Sequence, residues 1–253
     1  MPLVADGAMG TELLARSGFA GPPCRLNLLR PELVLNLHLE YVAAGAGLLV
    51  ANTLGGSPSE TRAGVRLARE AAEKSPRVCP PGHPLAGFAR VHSGALVAAS
   101  VTPMPSDELI EAAADADFII LETLTSLEPL KAMRESAGLP LMVTLSFAQN
   151  GVLASFTPAE VAARLEPLGL VAFGYGCGFG PHAARQVMAE LREAAPGAVL
   201  IAKPNLGLPP YAVTPAHLAA WAADMVEMDV DIVGACCGST PAHIDAVARI
   251  MSG

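Results

Sequence analysis

Eight short apolar runs, each ending in small, polar or reactive residues, alternate with longer amphipathic stretches along the whole chain. That alternation constrains the fold more than any other feature, because short apolar, β-branched runs read as strands and longer amphipathic stretches as helices. The expected strands are LVAD (Leu3 to Asp6), LLVANT (Leu48 to Thr53), ALVAAS (Ala95 to Ser100) and FIILET (Phe118 to Thr123). LMVTLSF (Leu141 to Phe147), VAFGYGC (Val171 to Cys177), VLIAKPN (Val199 to Asn205) and DIVGACC (Asp231 to Cys237) complete the set. Helix starts stand between them: Pro31 opens RPELVLNLHLEYVAAG, Ser57-Pro58 opens SPSETRAGVRLAREAAEK, and Thr-Pro opens both TPAEVAARL and TPAHLAAWAADMVEM. A hydroxyl N-cap followed by proline at the first helical position is a sound start, since the missing N–H has no intrahelical partner there.

Strands that alternate with helices form a parallel sheet, and right-handed crossovers leave an open doubly wound sheet or a closed (β/α)8 barrel. Eight strands favour the barrel. The 253 residues suit one barrel, and no Ser- or Gly-rich linker divides them, so a single domain over residues 1–253 is expected. A content of 52% hydrophobic against 16% charged residues supplies a sizeable core, built from aliphatic side chains because aromatics contribute only 4%. Ser75 to Gly94 is the least regular stretch and reads as a long loop.

Charge narrows the partners. The net charge of -8, with no basic run, argues against nucleic acid. No apolar stretch is long enough to span a bilayer, and Met1 to Gly10 lacks the basic flank and apolar run of a signal peptide, so a cytoplasmic protein is expected, with no membrane partner. Five cysteines, Cys24, Cys79, Cys177, Cys236 and Cys237, form an odd and scattered set that points away from a disulfide framework.

In a barrel of this kind chemistry gathers at the C-terminal ends of the strands. Asp6, Thr53, Glu122, Cys177, Asn205, Cys236 and Cys237 all fall there. Thiols from the sixth and eighth strands converge over the mouth if the chain kinks at Cys236-Cys237, which the flanking Gly234, Ala235 and Gly238 permit. Three thiolates fill three positions of a tetrahedral zinc site and leave the fourth open. A vicinal disulfide or a pair of ordinary core thiols stands as the alternative, while Cys24 and Cys79 read as small hydrophobes. His243, in the first turns of the last helix, reads as structural.

DGAMGTEL (Asp6 to Leu13), ANTLGG (Ala51 to Gly56), LETLTSLE (Leu121 to Glu128), GYGCGFGP (Gly174 to Pro181), KPNLGLP (Lys203 to Pro209) and VGACCGSTPAHI (Val233 to Ile244) occur in order, each at an expected strand end. Together they resemble the homocysteine S-methyltransferases, a family of zinc-dependent (β/α)8 barrels that includes the homocysteine module of cobalamin-dependent methionine synthase. The resemblance implies that Cys177, Cys236 and Cys237 bind zinc, and that Asp6, Gly7, Thr53 and Glu122 hold the amino-acid end of homocysteine. Asn205 matches the Pro-Asn-Ala-Gly stretch. The implied reaction methylates homocysteine to methionine from a sulfonium donor such as S-methylmethionine. The folate and cobalamin route needs further domains, which makes a separate methyl-donor protein an alternative partner, and a non-catalytic zinc-binding homologue a further reading.

Helix-cap roles remain open for Asp6 and Glu122, and a turn role for Asn205. The sequence also departs from the family pattern. Ala99 to Thr123 is short and keeps only part of a Gly-Ser-x-Gly-Pro motif, Gly176 stands where Asn is common, and Ala235 replaces a glycine.

Overall fold

A computed structural model describes residues 1–76, 79–80, 82–88, 94–207 and 212–252. All eight expected strands form: β1 (Leu3–Val4), β2 (Leu48–Ala51), β3 (Leu96–Ser100), β4 (Phe118–Leu124), β5 (Leu141–Leu145), β6 (Ala172–Cys177), β7 (Leu200–Pro204) and β8 (Ile232–Val233). They are parallel, in the order β1-β8-β7-β6-β5-β4-β3-β2. An isolated parallel bridge between Ala5 and Leu48 closes the ring, with the Gly47 N–H donating to Val4 O at 2.8 Å and the Asp6 N–H to Leu48 O at 2.9 Å. The fold is a (β/α)8 barrel. Two short helices, α1 (Gly10–Ser17) and α2 (Leu26–Leu29), precede the crossover helices α3 (Pro31–Ala43), α4 (Pro58–Ala72), α5 (Asp107–Ala112) and α6 (Leu130–Ser136). The outer ring continues with α7 (Pro158–Leu165), α8 (Gly180–Ala194), α9 (Pro215–Glu227) and α10 (Pro241–Ser252).

Three of the four proline-marked helix starts are realised as capping devices, while α3 opens on Pro31 without a side-chain cap. Ser57 and Thr157 each accept the N–H of the Glu three residues on, and that Glu reaches back to the cap N–H at 2.8 Å and 2.9 Å. Thr214 caps α9 in the same sense, accepting from the His217 N–H.

Period-two alternation divides each strand between two cores. One set of side chains packs against the helices, and the other fills the barrel with Leu3, Ala5, Leu48, Val50, Leu96, Ala98, Phe118, Ile120, Met142, Ala172, Ile201 and Ile232. Part of the expected loop Ser75 to Gly94 lies outside the described residues, but its described portion joins this inner core. Cys79 and Leu85 are buried against the inner side chains, and Phe88 meets the Phe118 ring at 5.7 Å between centroids. His83 holds the insert, its Nδ1 accepting from the Leu85 N–H and its Nε2 lying 3.2 Å from Asp231 O. These described residues fill the N-terminal end of the barrel.

Two aspartates repeat one device at that end. Asp117, just before β4, accepts the Val97 N–H at 2.8 Å and pairs with Arg69 of α4 at 3.0 Å. Asp231, just before β8, accepts the Leu200 N–H at 2.9 Å and pairs with Arg192 of α8 at 2.9 Å. Each ties a strand, its neighbour and an outer helix through one carboxylate. Asp117 is the more buried, at 1% side-chain exposure, so Asp117→Ala leaves a buried N–H and a largely buried guanidinium uncompensated. The expected cost is about 3 kcal/mol in urea denaturation.

Candidate metal and substrate site

β8 is shorter than the sequence implies, ending at Val233 where the expected strand ran to Cys237. Its last residues leave the sheet, so Cys236 and Cys237 are freed from strand alternation and their thiols both face the mouth. Backbone hydrogen bonds replace the ladder: Cys236 N–H donates to Pro204 O, Leu206 N–H to Cys237 O and Asn205 N–H to Cys177 O, each at 2.8 Å. Cys177 takes a left-handed φ of 57°, an uncommon geometry for a residue with a β-carbon, which turns its side chain across the end of β7.

The three sulfur atoms meet. Cys177 Sγ and Cys236 Sγ each lie 3.9 Å from Cys237 Sγ, and all three fall within 4.8 Å of one another. With Zn–S bonds of about 2.3 Å, a tetrahedral site separates its sulfurs by about 3.8 Å, so the donor set and its spacing suit one zinc ion with a fourth position to spare. All five cysteines are free, which removes the vicinal disulfide as a reading of the pair, and Cys24 and Cys79 are buried away from the cluster. Among themselves the thiols share charge unequally. Hydrogen bonds from Cys177 and then Cys236 hold the Cys237 thiol down at about 3. Cys177 is stabilised by Cys236, but the Cys237 contact and burial outweigh this and push it up to about 11. Contact with Cys177 and Cys237, then burial, keeps Cys236 well above its ordinary range.

The turn after the pair is stitched to the start of the chain. Ser239 Oγ accepts the Ala8 N–H and donates to Cys236 O, both at 2.8 Å, while the Tyr41 hydroxyl donates to Ala8 O at 2.9 Å. Gly7 is required by this approach, since a β-carbon there would lie 2.5 Å from Ser239 Oγ and 2.9 Å from the Tyr41 ring. Gly238 has a φ of 80° and lies against Gly207 O, where no side chain fits.

A cavity of about 320 Å³ opens beside the thiols, lined by Gly7, Thr53, Ser100, Glu122, Lys203, Cys236 and Cys237 among others. Thr53 is buried with its hydroxyl donating to Ser100 O at 2.7 Å. Glu122, in β4, caps no helix, and among the described residues its carboxylate has no hydrogen-bond or ion-pair partner. Asp6 also caps no helix. It lies fully buried beneath the cavity, accepting from the Val50 N–H at 2.7 Å and from Lys203 Nζ at 2.8 Å. Burial raises the Asp6 carboxyl despite the opposing pull of Lys203. Burial pulls Lys203 down, but the charges of Asp6 and Glu122 more than offset it and leave the ammonium above its ordinary value.

Asn205 lies outside the cavity lining. Its Oδ1 accepts the Gly207 N–H at 2.9 Å and its Nδ2 donates to Gly178 O, the pattern of a turn residue that ties two mouth loops together. The last two residues of the KPNLGLP motif lie outside the described residues. His243 is tied into the start of α10, its Nδ1 accepting the Thr240 N–H and its Nε2 lying 2.8 Å from Val213 O. Gly176 faces Thr144, whose side chain occupies the room a β-carbon would need, so a larger residue at 176 requires a different one at 144. Sequence reasoning missed Lys203. The signal was there: a lone charge two residues beyond Ile201 in an apolar strand points into the barrel.

The sequence profile of the homocysteine S-methyltransferase family matches residues 3–251. The chain belongs to that family. It is 30% identical to the methionine synthase of Mycobacterium leprae and 28% identical to that of Mycobacterium tuberculosis, each over 99% of this chain. The chain spans 24% of the length of those two proteins. The S-methylmethionine–homocysteine S-methyltransferase BHMT2 of Rattus norvegicus is 27% identical over 87% of this chain and 69% of its own. The same fold is seen in the homocysteine methyltransferase MmuM from Escherichia coli, at a TM-score of 0.76 and 24% identity over 98% of this chain and 95% of that one. Among the described residues no helix is long and apolar enough to cross a membrane.

The stitch at Ser239 yields a test. Ser239→Ala removes the acceptor for a buried N–H and the donor to Cys236 O, an expected cost of about 1–3 kcal/mol in stability. Because Cys236 loses its support, a competition titration with a chelator is expected to show weaker metal retention as well.

Proposed function

We propose that the chain transfers a methyl group to the thiol of L-homocysteine, forming methionine, with zinc held by Cys177, Cys236 and Cys237. The observation that carries this reading is the convergence of three thiols at the edge of a cavity whose other polar groups suit a small amino acid. Family membership supports it, as do the S-methylmethionine–homocysteine S-methyltransferase BHMT2 and the homocysteine methyltransferase MmuM, one of whose similar structures is of a metallated form.

Zinc bound there supplies Lewis acidity, which keeps a substrate thiol as thiolate at neutral pH. The chain's own residues do the rest. With three thiolates set against one divalent cation, Cys177, Cys236 and Cys237 would leave a thiolate bound there electron-rich. Gly7, Ala8 and Ala235 keep the cavity wall low, which leaves room for the acceptor. Glu122 offers the ammonium of an amino acid an unpaired carboxylate. The substrate sulfur attacks the donor's methyl carbon in line; a carbon–sulfur bond forms as the bond to the donor atom breaks, and the bonding pair leaves with the donor. From a sulfonium such as S-methylmethionine the departing group is a neutral thioether. The negative charge of thiolates and Glu122 at the mouth favours such a cationic donor.

A second reading has its own support. The methionine synthases that match are about four times longer than the matched region, consistent with a homocysteine-activating module served by a corrinoid or folate methyl donor. The short connection from β3 to α5 fits it, since none of residues 101–106 lines the cavity, which Ser100 reaches from the end of β3.

Purified, reduced protein is expected to carry one zinc per chain by elemental analysis, and Cys236→Ser to lose most of it. Thiolate ligation releases protons, so zinc affinity is expected to rise with pH. Methionine formed from homocysteine and S-methylmethionine alone supports the first reading. Zinc-dependent homocysteine binding without turnover on free sulfonium donors, but with turnover on a methylated corrinoid protein, supports the second. Zinc-free wild type that binds no thiol overturns both.

A further inference from the structure

Lys203 lines the cavity from an interior position of β7 and is 4% exposed. An ammonium carries three N–H donors, and among the described residues Asp6 Oδ1, at 2.8 Å, is its one hydrogen-bond partner. Two other groups of the same cavity lack partners. Ser100 Oγ is buried without a hydrogen bond, although Ser100 is 1% exposed and lines the cavity, and the Glu122 carboxylate stands unpaired. Buried polar groups are nearly always satisfied, so spare ammonium donors and an orphan hydroxyl together point to an acceptor-bearing ligand.

Charge sharpens the match. Asp6 compensates Lys203, which leaves Glu122 as the uncompensated charge at the amino-acid end of the cavity. A zwitterion set with its carboxylate toward Lys203 and Ser100 and its ammonium toward Glu122 satisfies all three groups and adds no net charge. With its carboxylate occupied by the Val50 N–H and the Lys203 ammonium, Asp6 is buried beneath the cavity rather than displayed in it.

We propose that Lys203, with Ser100 across the same cavity, binds the α-carboxylate of the substrate thiol, and that Asp6 is a positioning residue that holds Lys203 rather than a partner of the substrate ammonium. The proposal rests on the homocysteine reading above and reassigns Asp6 within it. It makes the site selective for thiols that carry a free α-carboxylate. A lysine that served only as an internal tie between β1 and β7 would have no such selectivity.

Calorimetric titration of the zinc-loaded protein with L-homocysteine and with 3-aminopropane-1-thiol, which keeps the thiol and ammonium and lacks the carboxylate, separates the two. Wild type is expected to bind homocysteine about 10- to 100-fold more tightly, the usual worth of a charge-assisted hydrogen bond. Lys203→Met is expected to erase that preference by weakening homocysteine alone, Lys203→Arg to restore part of it, and Ser100→Ala to reduce it less. Because Lys203→Met leaves Asp6 buried and unpaired, the double variant Lys203→Met, Asp6→Asn is measured alongside and is expected to give the same lost preference. Equal loss for both thiols in these variants, or a wild type that binds both equally, overturns the proposal and leaves the homocysteine reading standing. A wild type that binds neither thiol removes that reading, and this one with it.

Discussion

Bringing three thiols from two strands onto one point is a problem of distance, and the rest of the mouth is arranged around its solution. Neighbouring strands lie about 4.8 Å apart, so β6 and β8, with β7 between them, are separated by about 9–10 Å. The sulfurs of Cys177 and Cys237 nevertheless lie 3.9 Å apart. The gap closes because β7 ends at Pro204 and lets both neighbours lean over it, and because Pro204, Asn205 and Leu206 supply backbone partners to Cys236, Cys177 and Cys237. Left-handed backbone at Cys177 and an early end to β8 complete the convergence. The close approach of Gly238 to Gly207 and the Ser239 clamp hold it in place.

Stability and chemistry occupy opposite ends of the barrel. At the N-terminal end Asp117 and Asp231 are fully engaged with N–H groups and arginines, and the insert carrying Leu85 fills the interior. At the other end Ser100, Glu122 and Lys203 continue the inward-facing rows of Ala98, Ile120 and Ile201, but with polar ends left short of partners. The same strands thus present apolar residues where the core must close and polar ones where a ligand arrives. That division is common to barrels of this class.

Much of this was legible in the residues. Short apolar runs between longer amphipathic stretches marked eight parallel strands, and the capping signals at Ser57, Thr157 and Thr214 marked true helix starts because they act within a few residues of themselves. Cys177, Cys236 and Cys237 were legible as a group because three thiols at strand ends have few other uses. What escaped depends on contacts distant in sequence. The early end of β8 follows from the approach of Asp6 and Pro204 to the backbone after Val233, which no local pattern records. The pairing of Asp6 with Lys203 joins residues 197 apart, so neither residue alone signalled the other. Asn205 read equally well as ligand or turn former, and only its bonds to Gly207 and Gly178 distinguish them.

The clamp between Ser239 and Ala8 spans 231 positions, nearly the whole chain, and Cys177 is 60 residues from Cys237. A nascent chain therefore presents one thiol of the three until its last strand is made, and the mouth takes shape only when the final turn docks on the first loop. A metal ion held by all three thiols would accordingly be captured late, once the barrel has closed.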